Sequence, residues 1–185
     1  INKGGVIMIT EISGNIPEHE YYLNDKLTGE IILIDTKKIE QYAFHFTEID
    51  KINLEDVEYI GGSAFAYTKI KQANLQNIVQ LMCDAFANCD YLSEVFIGNK
   101  LAHVGNGCFK NCLKLKKIEL PDTVVSIDRY AFQNSGIVSF SVPPHIKRLN
   151  DNVFINCRSL EHLEIKNVED KIYAEICHIL KNKVN

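Results

Sequence analysis

Phenylalanine recurs along this chain at almost equal intervals. Successive members of the series are separated by 21, 21, 23, 23 and 22 residues, and four of the six follow an alanine. An aliphatic residue lies five positions before each phenylalanine, and another lies five or six positions after it. The six members are Phe44, Phe65, Phe86, Phe109, Phe132 and Phe154. A repeat that keeps its register over this period predicts a solenoid in which each repeat forms one coil.

Each predicted coil contains a segment in which apolar and polar residues alternate. In the segment that begins at Leu115, polar residues separate Ile118 from Leu120, which is the pattern of a half-buried strand. A single coil cannot bury its apolar side, so stacked coils share one core. We therefore expect the phenylalanines to form a buried ladder. A seventh strand is expected from Leu160, and no phenylalanine follows it.

The two ends of the chain are predicted to be caps. Residues 1–30 are interpreted as a degenerate N-terminal repeat, because Tyr22 lies 22 positions before Phe44 and Leu27 follows in register. Residues 31–166 hold the six full repeats and the final strand. Residues 167–185 are predicted to form a capping helix, with Asn167 as its N-cap. Its apolar face comprises Val168, Ile172, Ile176, Ile179 and Leu180.

Two stretches show the repeat most completely. One runs from Leu115 through Leu120-Pro121 to Ala131-Phe132, and the other from Leu92 to the turn Phe109-Lys-Asn-Cys112. They resemble the BspA-like class of leucine-rich repeats, and the resemblance covers about residues 27–166. It implies an α/β, right-handed solenoid with one short strand and a tight or short-helical return per coil. It also implies a surface or secreted protein, largely of microbes, that binds host or neighbouring proteins. The resemblance supplies no catalytic residues to assign to this chain.

Charge and hydropathy exclude several classes of protein. The net charge is −4 and the pI is near 5.9, whereas a protein that neutralises many phosphates usually has an excess of Lys and Arg. We therefore expect no nucleic-acid partner. No stretch of 18 apolar residues occurs, so no membrane insertion is expected. The sequence contains no metalloprotease, triad or phosphate-loop motif, and we predict neither enzymatic activity nor a cofactor.

The cysteines are open to three interpretations. Cys89, Cys112 and Cys157 each follow a phenylalanine by three positions, so they occupy equivalent places in different coils. Buried free thiols are favoured, because parallel inward side chains are poorly placed for bridging. The alternatives are a disulfide between Cys89 and Cys112, or a metal site that adds Cys108.

Strand alternation also predicts which side chains face outward on the sheet. Phe96 is the exception among mostly polar residues there, and an exposed aromatic of this kind is typical of an interface anchor. The alternative is that its ring simply rests on a neighbouring side chain. The predicted protein-binding residues are Asn53, Asn74, Gln76, Glu94, Phe96, Glu119 and Ser141.

We therefore expect a monomeric, non-enzymatic module that forms part of a larger surface protein and binds a protein ligand through its sheet face. The alternatives are a structural spacer within a larger protein, or a scaffold for chemistry elsewhere in a longer chain. The expected location is the cell surface or the medium, with the cytoplasm as the alternative. The N-terminal apolar run from Val6 to Ile9 is too short to indicate a signal peptide.

Overall fold

The computed structural model describes residues 9–150, 152–165, 168 and 170–181 of the 185-residue chain. These residues wind into a parallel β-solenoid of about seven coils. Most coils contribute one longer strand to a front face. The front strands are β1 (Ile9–Ser13), β2 (Thr28–Ile34), β4 (Glu48–Ile52), β6 (Gln72–Leu75), β8 (Glu94–Ile97), β11 (Ser139–Val142) and β13 (His162–Ile165).

A second, two-residue strand follows in each of six coils and builds a back sheet. These strands pair in parallel in a single six-stranded sheet. They are β3 (Lys38–Ile39), β5 (Tyr59–Ile60), β7 (Gln80–Leu81), β9 (His103–Val104), β10 (Ser126–Ile127) and β12 (Arg148–Leu149). The sequence pattern predicted one strand per coil, since two residues are too few to show a period. The aliphatic residue five positions before each phenylalanine is the second residue of its back strand.

The predicted phenylalanine ladder is confirmed. All six rings are at most 1% exposed, and neighbouring rings stack within 11° of parallel at centroid distances of 5.2 to 5.8 Å. The assignment of Tyr22 to this register is wrong. Tyr21 continues the ladder, with its ring 5.2 Å from that of Phe44, and its N–H donates to the Ala43 carbonyl as the N–H of Phe44 donates to Ala64. The interval before Phe44 is therefore 23 residues, and Tyr22 points outward instead.

From Tyr21 to Phe132, each ladder residue lies in a turn with left-handed backbone on both sides. In the coil of Phe44, Tyr42 and Phe46 have φ values of 58° and 60°, and Ser63 and Tyr67 repeat this around Phe65. Backbone hydrogen bonds join each turn to the next coil, such as Phe65 N–H to the Ala85 carbonyl at 2.9 Å. The turns therefore stack with the same register as the rings.

The cysteines that follow the ladder residues are hydrogen-bonded thiols. Cys89 donates to the Phe65 carbonyl at 3.0 Å, and Cys112 and Cys157 make the equivalent bond to the preceding coil. In two coils without cysteine, Thr47 and Thr68 donate from the same position to a ladder carbonyl in their own coil. The position three residues after each ladder phenylalanine therefore favours a small side chain that is buried and donates a hydrogen bond. All six thiols are free in the structure.

A helix follows the last front strand, as predicted. α1 (Asp170–Lys181) buries Ile172, Ile176 and Ile179 and packs against β12. The predicted N-cap, Asn167, lies outside the described residues. At the other end of the chain, residues 9–27 follow the path of a complete coil, with β1 paired to β2 and Tyr21 in the ladder.

Candidate functional site

The front face holds all seven residues that the sequence predicted for protein binding. Six of them are exposed, and Gln76 is half-buried. Phe96 exposes 56% of its surface at the centre of β8, which confirms that its ring lies outside the core. That the seven residues bind a protein remains a prediction, and their arrangement on the face is the relevant observation.

Three of the predicted residues lie together on β6 and β8. The parallel register places Asn74 beside Phe96, and Gln72 beside Glu94. The Gln72 side-chain amide donates to a Glu94 carboxylate oxygen at 2.7 Å. The exposed ring of Phe96 is therefore flanked by a fixed amide–carboxylate pair and by a second amide.

The chain also comes unusually close to itself at the end of β8. A Cβ atom on Gly98 would lie 1.9 Å from the carbonyl oxygen of Gln76 in the preceding coil. Only glycine allows this approach. Gly98, directly after β8, therefore contributes no side chain next to Gln76.

The front sheet is not continuous, although the sequence predicted one strip from Asn53 through Asn74, Phe96 and Glu119 to Ser141. Its strands form three separate sheets, β1–β2–β4, β6–β8 and β11–β13. In the described backbone no hydrogen bond joins residues 93–98 to residues 115–121. Residues 115–121 pair instead with the following coil, through an isolated parallel bridge between Lys117 and Ser139. Pro121 ends it and has no N–H to donate to a ladder.

The interruption produces a depression beside Phe96. Its volume is about 540 Å³, within the range of ligand pockets. Phe96 and Glu94 line one side, and Glu119, Lys117 and Pro121 line the other. Lys117 lies 2.6 Å from Glu119, and this hydrogen-bonded ion pair lowers the pKa of the Glu119 carboxyl. The wall opposite the aromatic ring is therefore charged at neutral pH.

A second depression, of about 580 Å³, lies on the other side of the same segment. It is lined by Glu119, Ser141, Pro143, His162 and Glu164, among other residues. The Ser141 hydroxyl donates to the Glu164 carboxylate at 2.9 Å across the β11–β13 register. Glu119 thus stands on the ridge between two recesses.

Asn53 is the member of the predicted set that the structure leaves apart. It lies directly after β4, and its side-chain oxygen accepts a local hydrogen bond from the N–H of Glu55 at 3.0 Å. β4 and β6 belong to different sheets. The predicted site therefore divides into a core of Asn74, Glu94, Phe96 and Glu119, with Ser141 across the ridge.

Sequence reasoning missed Lys117 and Pro121 as lining residues, and it missed the recesses themselves. The proline directly after Leu120 was the available signal, since proline interrupts a hydrogen-bonded ladder. It also missed a cluster of outward aromatic rings at the turns of the first coils. Their signal was a second aromatic or histidine next to the ladder position, as in His45-Phe46.

The structure also bears on metal binding, thiol chemistry and membrane insertion. No group of three His, Cys, Asp or Glu side chains in the described part of the chain is placed to hold a metal ion. Burial raises the pKa of the Cys89 thiol to about 11, and those of Cys108 and Cys112 well above their usual value. These thiols are therefore protonated at neutral pH. Among the described helices, none has the length and apolar character needed to cross a bilayer.

The stacked parallel strands, the phenylalanine ladder and the coil length define a leucine-rich-repeat solenoid. The family model for the BspA type leucine rich repeat region matches residues 9–93 and 80–181, with six copies of the repeat. The chain belongs to this family. Proteins with this repeat and fold are generally non-enzymatic. A search among curated protein sequences finds no significant match.

Solved structures from bacteria share the fold. A leucine rich cell surface protein from Faecalibacterium prausnitzii is 21% identical, with a TM-score of 0.66 over 86% of this chain and 43% of that one. The T. pallidum leucine rich repeat protein is 19% identical, with a TM-score of 0.67 over 81% and 82% of the two chains. A leucine-rich repeat protein from Bacteroides ovatus is 17% identical, with a TM-score of 0.51 over 88% and 70%. This chain thus spans less than half of the F. prausnitzii protein.

Proposed function

We propose that this chain is a non-enzymatic protein-binding module that recognises its ligand through the front face around Phe96. The observation that carries the proposal is the exposed ring of Phe96 at the rim of a depression between β8 and residues 115–121. Burying such a ring against a partner removes a large apolar surface from water, which favours association. Aromatic residues are enriched among those that dominate binding energy.

The surroundings of Phe96 match the anatomy of an interface. Asn74, Glu94, Lys117 and Glu119 form a polar rim around the apolar ring, and interfaces commonly combine an apolar centre with such a rim. The recess beside the ring accepts an apolar side chain of the ligand. The rim can then donate and accept hydrogen bonds at its edge.

The proposed ligand is a host or neighbouring protein, and the proposed location is the cell surface or the medium. The F. prausnitzii structure with this fold is described as that of a cell surface protein, which supports this location. The module is proposed to act as a monomer within a larger surface protein.

A structural spacer is the second candidate. The observation that favours it is the unbroken back sheet of six strands, together with the stacked rings from Phe44 to Phe154. Such a continuous stack resists bending and holds its two ends at a constant distance. A spacer has no need of an exposed aromatic ring beside a recess, however, and Phe96 therefore favours binding.

A binding panel with matched variants tests the proposal. The purified domain is immobilised and exposed to purified matrix proteins and bacterial surface proteins. Replacement of Phe96 by Ala should weaken binding of a captured ligand by about 2 kcal/mol or more and leave Tm nearly unchanged. Tyr173→Ala is the control, because Tyr173 is comparably exposed on α1 and far along the chain from β8. Equal binding by wild type and Phe96→Ala would exclude the front face around Phe96 as the ligand-binding surface.

A further inference from the structure

Aromatic and histidine rings form a contiguous surface at the turns of the first three coils. We call it the turn-edge aromatic patch, and it consists of His19, Tyr22, Tyr42, His45, Phe46 and Tyr67. These rings lie beside the phenylalanine ladder and not in it. The patch was not predicted from the sequence, and it is separate from the front face around Phe96.

The rings of the patch contact one another along and across the coils. His19 stacks on Tyr42 at 5.0 Å, Tyr22 on His45 at 5.4 Å, and Phe46 on Tyr67 at 4.3 Å. His45 is buried between the stacks and meets Phe46 edge-on at 4.4 Å. Its ring nitrogen Nδ1 lies 3.1 Å from the Ser63 carbonyl. The patch is therefore preorganised.

Much of this aromatic surface is in contact with solvent. Tyr22 and Phe46 each expose 41% of their surface, and Tyr67 exposes 48%. Scattered exposed apolar residues need no explanation, but a contiguous set of them is typical of an interaction site.

The backbone gives a second reason to assign a role to these rings. Two positions after each ladder residue the chain is left-handed, with φ values of 60° at Phe46 and 64° at Tyr67. Later coils place asparagine at this position, namely Asn88, Asn111, Asn134 and Asn156. Asparagine tolerates this conformation, whereas a bulky residue there is an outlier. An unfavoured conformation that is retained points to function.

The charge of the chain is concentrated around this end. Residues 1–50 contain nine Asp and Glu against four Lys, whereas residues 51–185 contain 15 Asp and Glu against 16 Lys and Arg. The excess of negative charge thus belongs to the coils that carry the turn-edge aromatic patch.

In the described part of the chain, no lysine or arginine pairs with the carboxylates nearest to the patch. Glu18, Glu20 and Asp25 are exposed and lie within four positions of Tyr22, and a Glu18 oxygen lies 3.5 Å from the His19 ring. Within the described residues none of the three pairs with a lysine or arginine. Three acidic residues further along the chain do, in the ion pairs Glu30–Lys51, Glu48–Lys69 and Asp50–Lys71.

From this juxtaposition we propose that the turn-edge aromatic patch docks a lysine- and arginine-rich segment of a partner protein. The guanidinium plane of arginine stacks on aromatic rings, and the aliphatic stems of arginine and lysine pack on apolar surface. The carboxylates of Glu18, Glu20 and Asp25, which no lysine or arginine of the described residues neutralises, then bind the positive charges. The front face around Phe96 remains free when this surface is occupied.

Hexa-arginine peptide is a suitable probe, with binding measured by calorimetry at low ionic strength. The test variant combines Phe46→Asn with Tyr67→Asn, which gives these coils the residue that later coils hold at this position. We expect its affinity for the peptide to fall by about tenfold or more without any decrease in Tm. Glu18→Gln with Glu20→Gln should also weaken binding, and hexa-glutamate should not bind the wild type.

Controls distinguish this surface from the front face. Phe96→Ala should bind hexa-arginine as tightly as wild type, so that failure of the front-face proposal leaves this one intact. Equal affinity of the Phe46→Asn/Tyr67→Asn variant and the wild type would show attraction by charge alone and overturn the proposal. Absence of any binding to wild type, or loss of binding in Phe96→Ala, would overturn it as well.

Discussion

Phe86 and Phe109 stack in the middle of the solenoid with ring planes 6° apart and ring centroids 5.8 Å apart, and neither ring is exposed. Each of these two rings packs between two other rings, because Phe65 and Phe132 continue the stack. The core is therefore one-dimensional: every coil is stabilised by the coil before it and the coil after it.

Loss of one ring should consequently destabilise the whole stack. Phe86→Ala is expected to lower the free energy of unfolding by about 3–5 kcal/mol, as for other large core aromatics. Urea denaturation followed by circular dichroism measures this, with Phe96→Ala as the exposed control. Unchanged stability of Phe86→Ala would contradict the ladder assignment.

Asn88, Asn111 and Asn134 form a hydrogen-bonded row at successive turns, and this row should contribute measurably to stability. The Asn111 amide donates to Asn88 at 2.6 Å, and Asn134 donates to Asn111 at 3.0 Å, while Asn111 has φ of 60°. Asn111→Ala loses both hydrogen bonds and strains the backbone, at a cost of about 2 kcal/mol. Asn111→Gly keeps the backbone conformation and should cost about half as much. Equal costs for the two variants would show that backbone strain contributes nothing.

Thiol chemistry should distinguish the cysteines by burial. Cys83 is exposed, whereas Cys89, Cys108, Cys112 and Cys157 are buried. Burial raises the pKa of the Cys89 thiol to about 11, so it is neither accessible nor ionised at pH 8. A thiol reagent should modify Cys83 rapidly in the native protein, and six thiols should be counted after unfolding without reductant. A count of four or fewer would indicate a disulfide, first of all between Cys89 and Cys112.

The C-terminal helix should act as a cap. α1 covers apolar residues at the last coil through Ile172, Ile176 and Ile179, and an uncovered strand edge favours association between chains. Deletion of residues 168–185 is expected to produce dimers or aggregates, measured by size-exclusion chromatography. A subtler variant, Ile176→Lys, should have the same effect, and Tyr173→Lys on the exposed side should not. A monomeric truncated protein of wild-type stability would show that α1 is not needed as a cap.

The fold was accessible from the sequence because its strongest signal is a repeat. Because one apolar pattern occurs six times, a departure in a single copy does not obscure it. The repeated pattern was enough to predict the ladder, the front strands and the inward cysteines. The first coil was harder, since Tyr21 and Tyr22 are adjacent and chemically alike. The stacking of Tyr21 on Phe44, its hydrogen bond to Ala43 and the exposure of Tyr22 distinguish them in the structure. The two-residue back strands carry no period of their own.

The candidate site was accessible only in part. Alternation along β8 predicts that Phe96 faces outward, and this requires nothing beyond the local pattern. The recess beside it depends on a missing set of hydrogen bonds between residues 93–98 and 115–121, which is a property of two coils together. The turn-edge aromatic patch likewise arises from three coils, and no single repeat contains it.

Hydrogen exchange of the domain with and without a captured protein ligand tests the central claim most directly. Backbone amides in residues 93–98 and 115–121 lack hydrogen bonds to each other, so those not otherwise bonded should exchange rapidly in the free domain. We expect the ligand to slow exchange in these two segments around Phe96 and Glu119. Protection confined to the turns or to the back strands, with none in these segments, would contradict binding through the front face.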